Sequence, residues 1–163
     1  MNHRALIAAG LVSLISFGVA VADYDAQLAQ SYARLFEPVA GAKAGKGLHL
    51  MTPDKLVSQI QAGKPIVALD VRTPNECGLL GMTLPESMAI PVNEIFLAEN
   101  LDRIPQDKTV VIVCKTGTRA TAVGTGLRHI GFKNVYVLKG GFMALGKYLS
   151  PKTANPPPKV AAR

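Results

Sequence analysis

The chain has 163 residues, a length that supports one domain with its own core. Lys and Arg outnumber Asp and Glu by 18 to 11. The cations stand singly with few aromatics between them, which argues against nucleic-acid binding and for attraction of small anions. Two cysteines outside any CxxC motif, with scattered histidines, argue against a metal or haem site, and no cofactor is expected. Glycine fingerprints of phosphate or dinucleotide binding are absent, as is a Gly-x-Ser-x-Gly elbow.

Met1 to Arg4 carries one cation and leads into an apolar run from Ala5 to Val21. Ala20-Val21-Ala22 offers small residues at a signal-peptidase spacing, so residues 1–22 read as a Sec-type signal peptide cleaved after Ala22. The alternative is an uncleaved anchor, because the run borders on the length of a membrane span. Cleavage leaves 17 Lys and Arg against 11 Asp and Glu, a net charge of +6. The expected product is a periplasmic protein starting at Asp23, without stable membrane association.

Residues 23–47 form an N-terminal helical extension and linker. Asp25 to Phe36 predicts an amphipathic helix with Leu28, Tyr32 and Leu35 on one face, suited to cover an edge of the domain. Pro38 and the Gly/Ala/Lys stretch from Gly41 to Gly47 end it in a flexible joint. The compact domain is expected over 48–149. A short strand, Leu48 to Met51, meets Thr52-Pro53, a helix cap followed by proline at the first helical position, and that helix runs to Ala62. Pro65 to Val71 is a buried strand ending near Asp70, followed by a short helix over Asn75 to Leu80. Met88 to Pro91 is a third strand and Val92 to Leu101 another helix. Thr109 to Val113 is the central strand, and Arg119 to Ile130 a helix stopped by Gly131. Asn134 to Leu138, then Gly140-Gly141 and a helix from Phe142 to Leu149, complete the domain. Residues 150–163 read as a Pro-rich basic tail, expected to be disordered.

Short apolar strands alternating with helices predict an α/β domain with a parallel sheet covered on both faces. Ligands of such sheets lie outside the carboxyl ends of the strands. Asp70, Cys114 and the Lys139-Gly140-Gly141 turn all fall there. Cys114-Lys115-Thr116-Gly117-Thr118-Arg119 joins the central strand to a helix, so its N–H groups and the helix dipole favour negative charge. A thiol there ionises more readily than a free one. The loop reads as a thiolate nucleophile, Cys114, in an anion cradle open to solvent. Gly117 permits the turn, and Lys115 and Arg119 add positive charge. Arg119 either pins the loop and binds an anion, or pairs with a carboxylate such as Asp70. Asp70 and Arg72 are expected to orient the rim, with Glu76 paired to Arg72.

Four motifs in order and spacing carry a resemblance: Leu69-Asp70-Val71-Arg72-Thr73-Pro74-Asn75-Glu76, Ala89-Ile90-Pro91, Val113 to Arg119, and Leu138-Lys139-Gly140-Gly141-Phe142. Over about 48–149 the chain resembles a single-domain rhodanese, a sulfurtransferase of the exported bacterial type. The resemblance implies a three-layer domain whose central, mostly parallel five-stranded sheet is flanked by helices. It implies a Cys114 persulfide formed from thiosulfate, a polysulfide or another persulfide, and an acceptor that is a small nucleophile or a protein. Lys115, Thr116, Gly117, Thr118 and Arg119 then form the substrate loop, with Asp70, Arg72, Gly140 and Gly141 supporting it. Related phosphatases place five residues between cysteine and arginine; here there are four, which suits a single sulfur atom better than a tetrahedral oxyanion. Cys77 stands where the family usually has an aromatic residue, and Gly81 to Ser87 lacks the family's usual histidine, with one residue added. Two other functions fit the same residues: a non-catalytic sulfur carrier, and a thiol-disulfide switch using Cys77 and Cys114.

Overall fold

The computed structural model describes residues 24–155; the expected signal peptide and the end of the tail lie outside them. Five strands form one all-parallel sheet: β1 (Leu50–Met51), β2 (Ile66–Asp70), β3 (Met88–Ala89), β4 (Thr109–Val113) and β5 (Val135–Leu138), in the order β1-β5-β4-β2-β3. Central β4 pairs with β2 from Thr109↔Ile66 to Val113↔Asp70, so both strands end on one rim. Neither shows polar alternation, since side chains of each parity are buried under a helical layer.

The period of two divides the core. Val110 and Ile112 join Leu69, Val71, Ile90, Ala120, Val123 and Leu127 beneath α5 (Thr118–His129). Val111 and Val113 point the other way, joining Met51, Leu56, Ala68, Leu138 and Leu145 beneath α2 (Pro53–Gln61) and α6 (Gly141–Tyr148). The three expected layers are therefore present. At the sheet's carboxyl rim, α3 (Pro74–Leu79) starts in a capping box between Thr73 and Glu76.

The extension α1 (Ala26–Phe36) is capped by Asp25, whose carboxylate accepts from Leu28 N–H at 2.8 Å. It packs on α5, with Tyr32 stacked at 4.0 Å on His129 and Ser31 Oγ 3.0 Å from His129 Nε2.

Three expectations are corrected. The joint at 41–47 is an ordered 3-10 turn, Gly41–Lys46, because Val39 folds onto Gly47 and Arg128 donates to the Gly47 carbonyl. The helix expected from Val92 shrinks to α4 (Ala98–Leu101). Ile95 enters the core while Phe96 rests on Gly126 of α5, and buried Asn100 donates its side-chain amide to Glu94 O at 2.9 Å, holding 92–97 in successive turns. The first residues of the expected tail are helical: Ser150 and Thr153 form a capping box for α7 (Pro151–Ala154), and Gln61 donates to Thr153 O at 3.0 Å.

Candidate active site

β4 delivers Cys114 to the rim, and the chain turns at Gly117 before entering α5. Gly117 is buried and left-handed, φ +94°, where a side chain would be strained. From this position its N–H donates to Cys114 Sγ at 3.1 Å. The loop's carbonyls are taken by α6: Phe142 N–H donates to Cys114 O at 2.9 Å and Met143 N–H to Lys115 O at 3.1 Å. Because a trans peptide sets its C=O and N–H on opposite sides, the amides of Lys115 and Thr116 face away from α6. Among the described residues, neither they nor the first-turn amides of Thr118, Arg119 and Ala120 have an acceptor. One main-chain donor, the Gly117 N–H, thus reaches the sulfur, and the positive end of a twelve-residue helix begins one residue beyond it.

The docking of α6 depends on Gly141. At φ +58° its backbone lies so close that a Cβ would stand 2.1 Å from Cys114 O. Of the Gly140-Gly141 pair, Gly141 is the member whose backbone meets the cysteine loop, whereas a Cβ at Gly140 would meet Ala144 of α6.

One expectation about the sulfur is corrected. Cys114 is 1% exposed, packed with Val71, Ile90, Ile112 and Ala120 rather than open to solvent. It continues the inward alternation of Val110 and Ile112. Lys115, Thr116 and Thr118 are the loop's exposed members.

The ion pairs also differ from the expected ones. Asp70 pairs with Arg72 two residues on, in a buried bridge of 2.7 Å, with Arg72 Nε at 2.9 Å from Oδ1. Arg72 further donates to Leu80 O, and its guanidinium lies 4.0 Å over the Phe142 ring. Arg119 instead forks onto Glu76, Nη1 to Oε2 and Nη2 to Oε1, both at 2.8 Å. Glu76 Oε2 also accepts from Thr73 N–H and Thr73 Oγ1, each at 3.0 Å. A single carboxylate therefore closes the α3 cap and holds Arg119. The fork drives the Glu76 carboxyl far below the usual carboxylate range, with the Thr73 amide adding to it. Arg119 is raised in turn, first by Glu76 and to a smaller degree by the Cys114 sulfur. Sequence reasoning missed Glu76 as a site residue, although Thr73-x-x-Glu76 is a capping-box signal that fixes this carboxylate at the rim.

The depressed Glu76 value has a direction for stability. A carboxyl lowered on folding contributes above its unfolded pKa, about 4.3, and that contribution is lost as pH falls below it. Glu76→Gln should therefore lower the melting temperature near neutrality, with the two proteins converging as pH falls from about 4 toward 2. A melting difference that is the same at both ends would refute this.

Cys77 is half-buried and its thiol is pushed up, mainly by burial and then by Asp70. It lines a cavity of about 200 Å³ with Ala68, Asp70, Met82, Ser87 and Met88. Ala68 and Met82 belong to the α2/α6 face, whereas Cys114 belongs to the α5 face. Both thiols are free.

Comparison with known proteins agrees with this architecture. The Rhodanese-like domain family model matches residues 52–147. A sulfurtransferase of Allochromatium vinosum is 29% identical over 101 residues, covering 62% of this chain and 91% of that protein. The "Probable adenylyltransferase/sulfurtransferase MoeZ" of Mycobacterium tuberculosis is 33% identical over 110 residues, 68% of this chain but only 27% of that protein. The chain thus spans about a quarter of that relative's length. The crystal structure of a rhodanese-like domain protein from Staphylococcus aureus superposes with a TM-score of 0.51 at 28% identity, covering 60% of this chain and 90% of that one. The sheet order, the cysteine loop and these matches lead to one assignment: the chain belongs to the rhodanese-like domain family, whose sulfurtransferases it resembles.

Proposed function

We propose that this protein moves sulfane sulfur from thiosulfate, or a related anionic donor, to a thiophilic acceptor through a persulfide on Cys114. The carrying observation is the Gly117 N–H on Cys114 Sγ at 3.1 Å at the start of α5, in a loop where the amides of Lys115, Thr116, Thr118, Arg119 and Ala120 have no acceptor among the described residues. In the first step the Cys114 thiolate attacks the outer sulfur of thiosulfate. A sulfur–sulfur bond forms, the donor's own breaks, and sulfite leaves with the electron pair. An acceptor nucleophile then attacks the outer sulfur of the persulfide and returns the Cys114 thiolate. Both enzyme states are anions that main-chain donors stabilise. Exposed Lys115, within the loop, favours approach of an anionic donor.

Thiosulfate and cyanide together should yield thiocyanate catalytically; failure to form a persulfide on Cys114 with thiosulfate or polysulfide would end the reading. We also propose that the mature chain starts at Asp23 and works in a bacterial periplasm, on the strength of the pattern in residues 1–22. Mass spectrometry of protein taken from that compartment reads both points at once, as an N-terminus at Asp23 and one added sulfur atom on Cys114.

A further inference from the structure

Arg119 is the one guanidinium at the loop, and an anionic donor makes it the obvious ligand. Its geometry argues otherwise. Both of its terminal nitrogens are spent on Glu76, at 2.8 Å each, in a planar fork-to-fork pair. That pair is about one-third exposed, 33% and 32%, so solvent screening keeps its contribution to stability modest. Glu76 is in turn immobilised by the Thr73 amide and hydroxyl at the start of α3. The chain of contacts runs from the α3 cap through one carboxylate to a guanidinium on the first turn of α5, two residues beyond the amide that donates to the sulfur.

We infer that Glu76 is a positioning residue, fixing Arg119 on the first turn of α5, two residues from the Gly117 amide that donates to Cys114, as a support for the sulfur anion and leaving the donor to be held by main-chain amides. The inference rests on the proposed sulfur-transfer reading but is tested without it. Glu76 touches neither sulfur nor donor; it acts through Arg119. Removing an anion near a thiol should by itself make the thiol more reactive, whereas releasing a guanidinium that it holds should make it less so. The two effects have opposite signs.

The test uses the full chain carrying Cys77→Ser, so that Cys114 is its only thiol. Iodoacetamide, a neutral reagent, alkylates Cys114, and intact mass gives the rate at constant pH. Arg119→Ala should slow alkylation about tenfold and Glu76→Ala about fivefold, on the scale of one fixed charge near a thiolate. The double variant should match Arg119→Ala within about twofold, since both changes remove one device. Faster alkylation in Glu76→Ala, or a double variant slowed by the product of the two, overturns the inference. With thiosulfate, both single variants should lose kcat while KM stays within about twofold. A tenfold or greater rise in KM with kcat unchanged in Arg119→Ala would make Arg119 a donor ligand and equally overturn it. If the wild type turns over no thiosulfate, the functional reading fails and the alkylation cycle still decides the role of Glu76. Thermal melting monitors folding; if Glu76→Ala does not fold, Glu76→Gln, which keeps an acceptor for Thr73, takes its place in the cycle.

Discussion

Cys114→Ser is expected to abolish thiocyanate formation from thiosulfate and cyanide, by about four orders of magnitude or more, because the covalent intermediate has no alternative carrier. A serine hydroxyl in the same place could accept the Gly117 amide, so the fold should survive the change, and near-UV and melting data should show it. The sulfur faces α5 and packs with Val71, Ile90 and Ala120, so any loss of stability measures packing rather than chemistry. Cys77→Ser supplies the contrast. Its side chain lines a separate cavity with Ala68, Asp70, Met82 and Met88, and most of the transfer activity should remain. Substantial activity in Cys114→Ser would remove the nucleophile from the mechanism. Equal losses in both variants would favour a dithiol process.

Gly141→Ala should be the most damaging single methyl group in the domain. The added Cβ would lie 2.1 Å from Cys114 O and 2.7 Å from both C and O of Lys115. These are backbone atoms, which cannot swing aside as a flexible side chain would. Left-handed backbone for alanine costs about 1–2 kcal/mol by itself. Displacing α6 from the loop adds the Phe142 and Met143 hydrogen bonds, so a total near 3 kcal/mol or above is expected. Gly63→Ala isolates the conformational part, because Gly63 has φ +68° and nothing within 4 Å of the Cβ position. Urea denaturation of the two variants reads the difference directly. Comparable losses at positions 63 and 141 would show that the close approach carries no weight.

Much of this architecture can be read from the residues, and where the reading stops has physical causes. The run Thr109 to Val113 is apolar and β-branched enough to define β4 to the residue, and its position fixes Cys114 at the rim. The glycines at 117 and 140–141 mark turns through backbone sterics that do not depend on distant context. Pairing of charges is another matter. Asp70, Arg72, Glu76 and Arg119 all belong on the rim, but which carboxylate meets Arg119, 43 positions from Glu76, depends on how α3 is aimed. Burial of the sulfur is legible in the period of two that runs through Val110, Ile112 and Cys114, whereas the capture of the loop's carbonyls by α6 is not, because it joins segments distant in the chain. The segment 92–97 carries helix-compatible residues, and only the competing demands of Ile95 and Phe96 break the helix. Ser150-Pro151-x-Thr153 is a readable helix start that the neighbouring prolines obscured.

The donor that reaches the sulfur belongs to the peptide backbone, while Lys115, Thr116 and Thr118 are exposed. Under the proposed function, selectivity and the means of holding charge fall to different atoms. Under the same proposal, variants altered only at those three positions should change which sulfur donors are accepted without rebuilding the backbone that holds the sulfur.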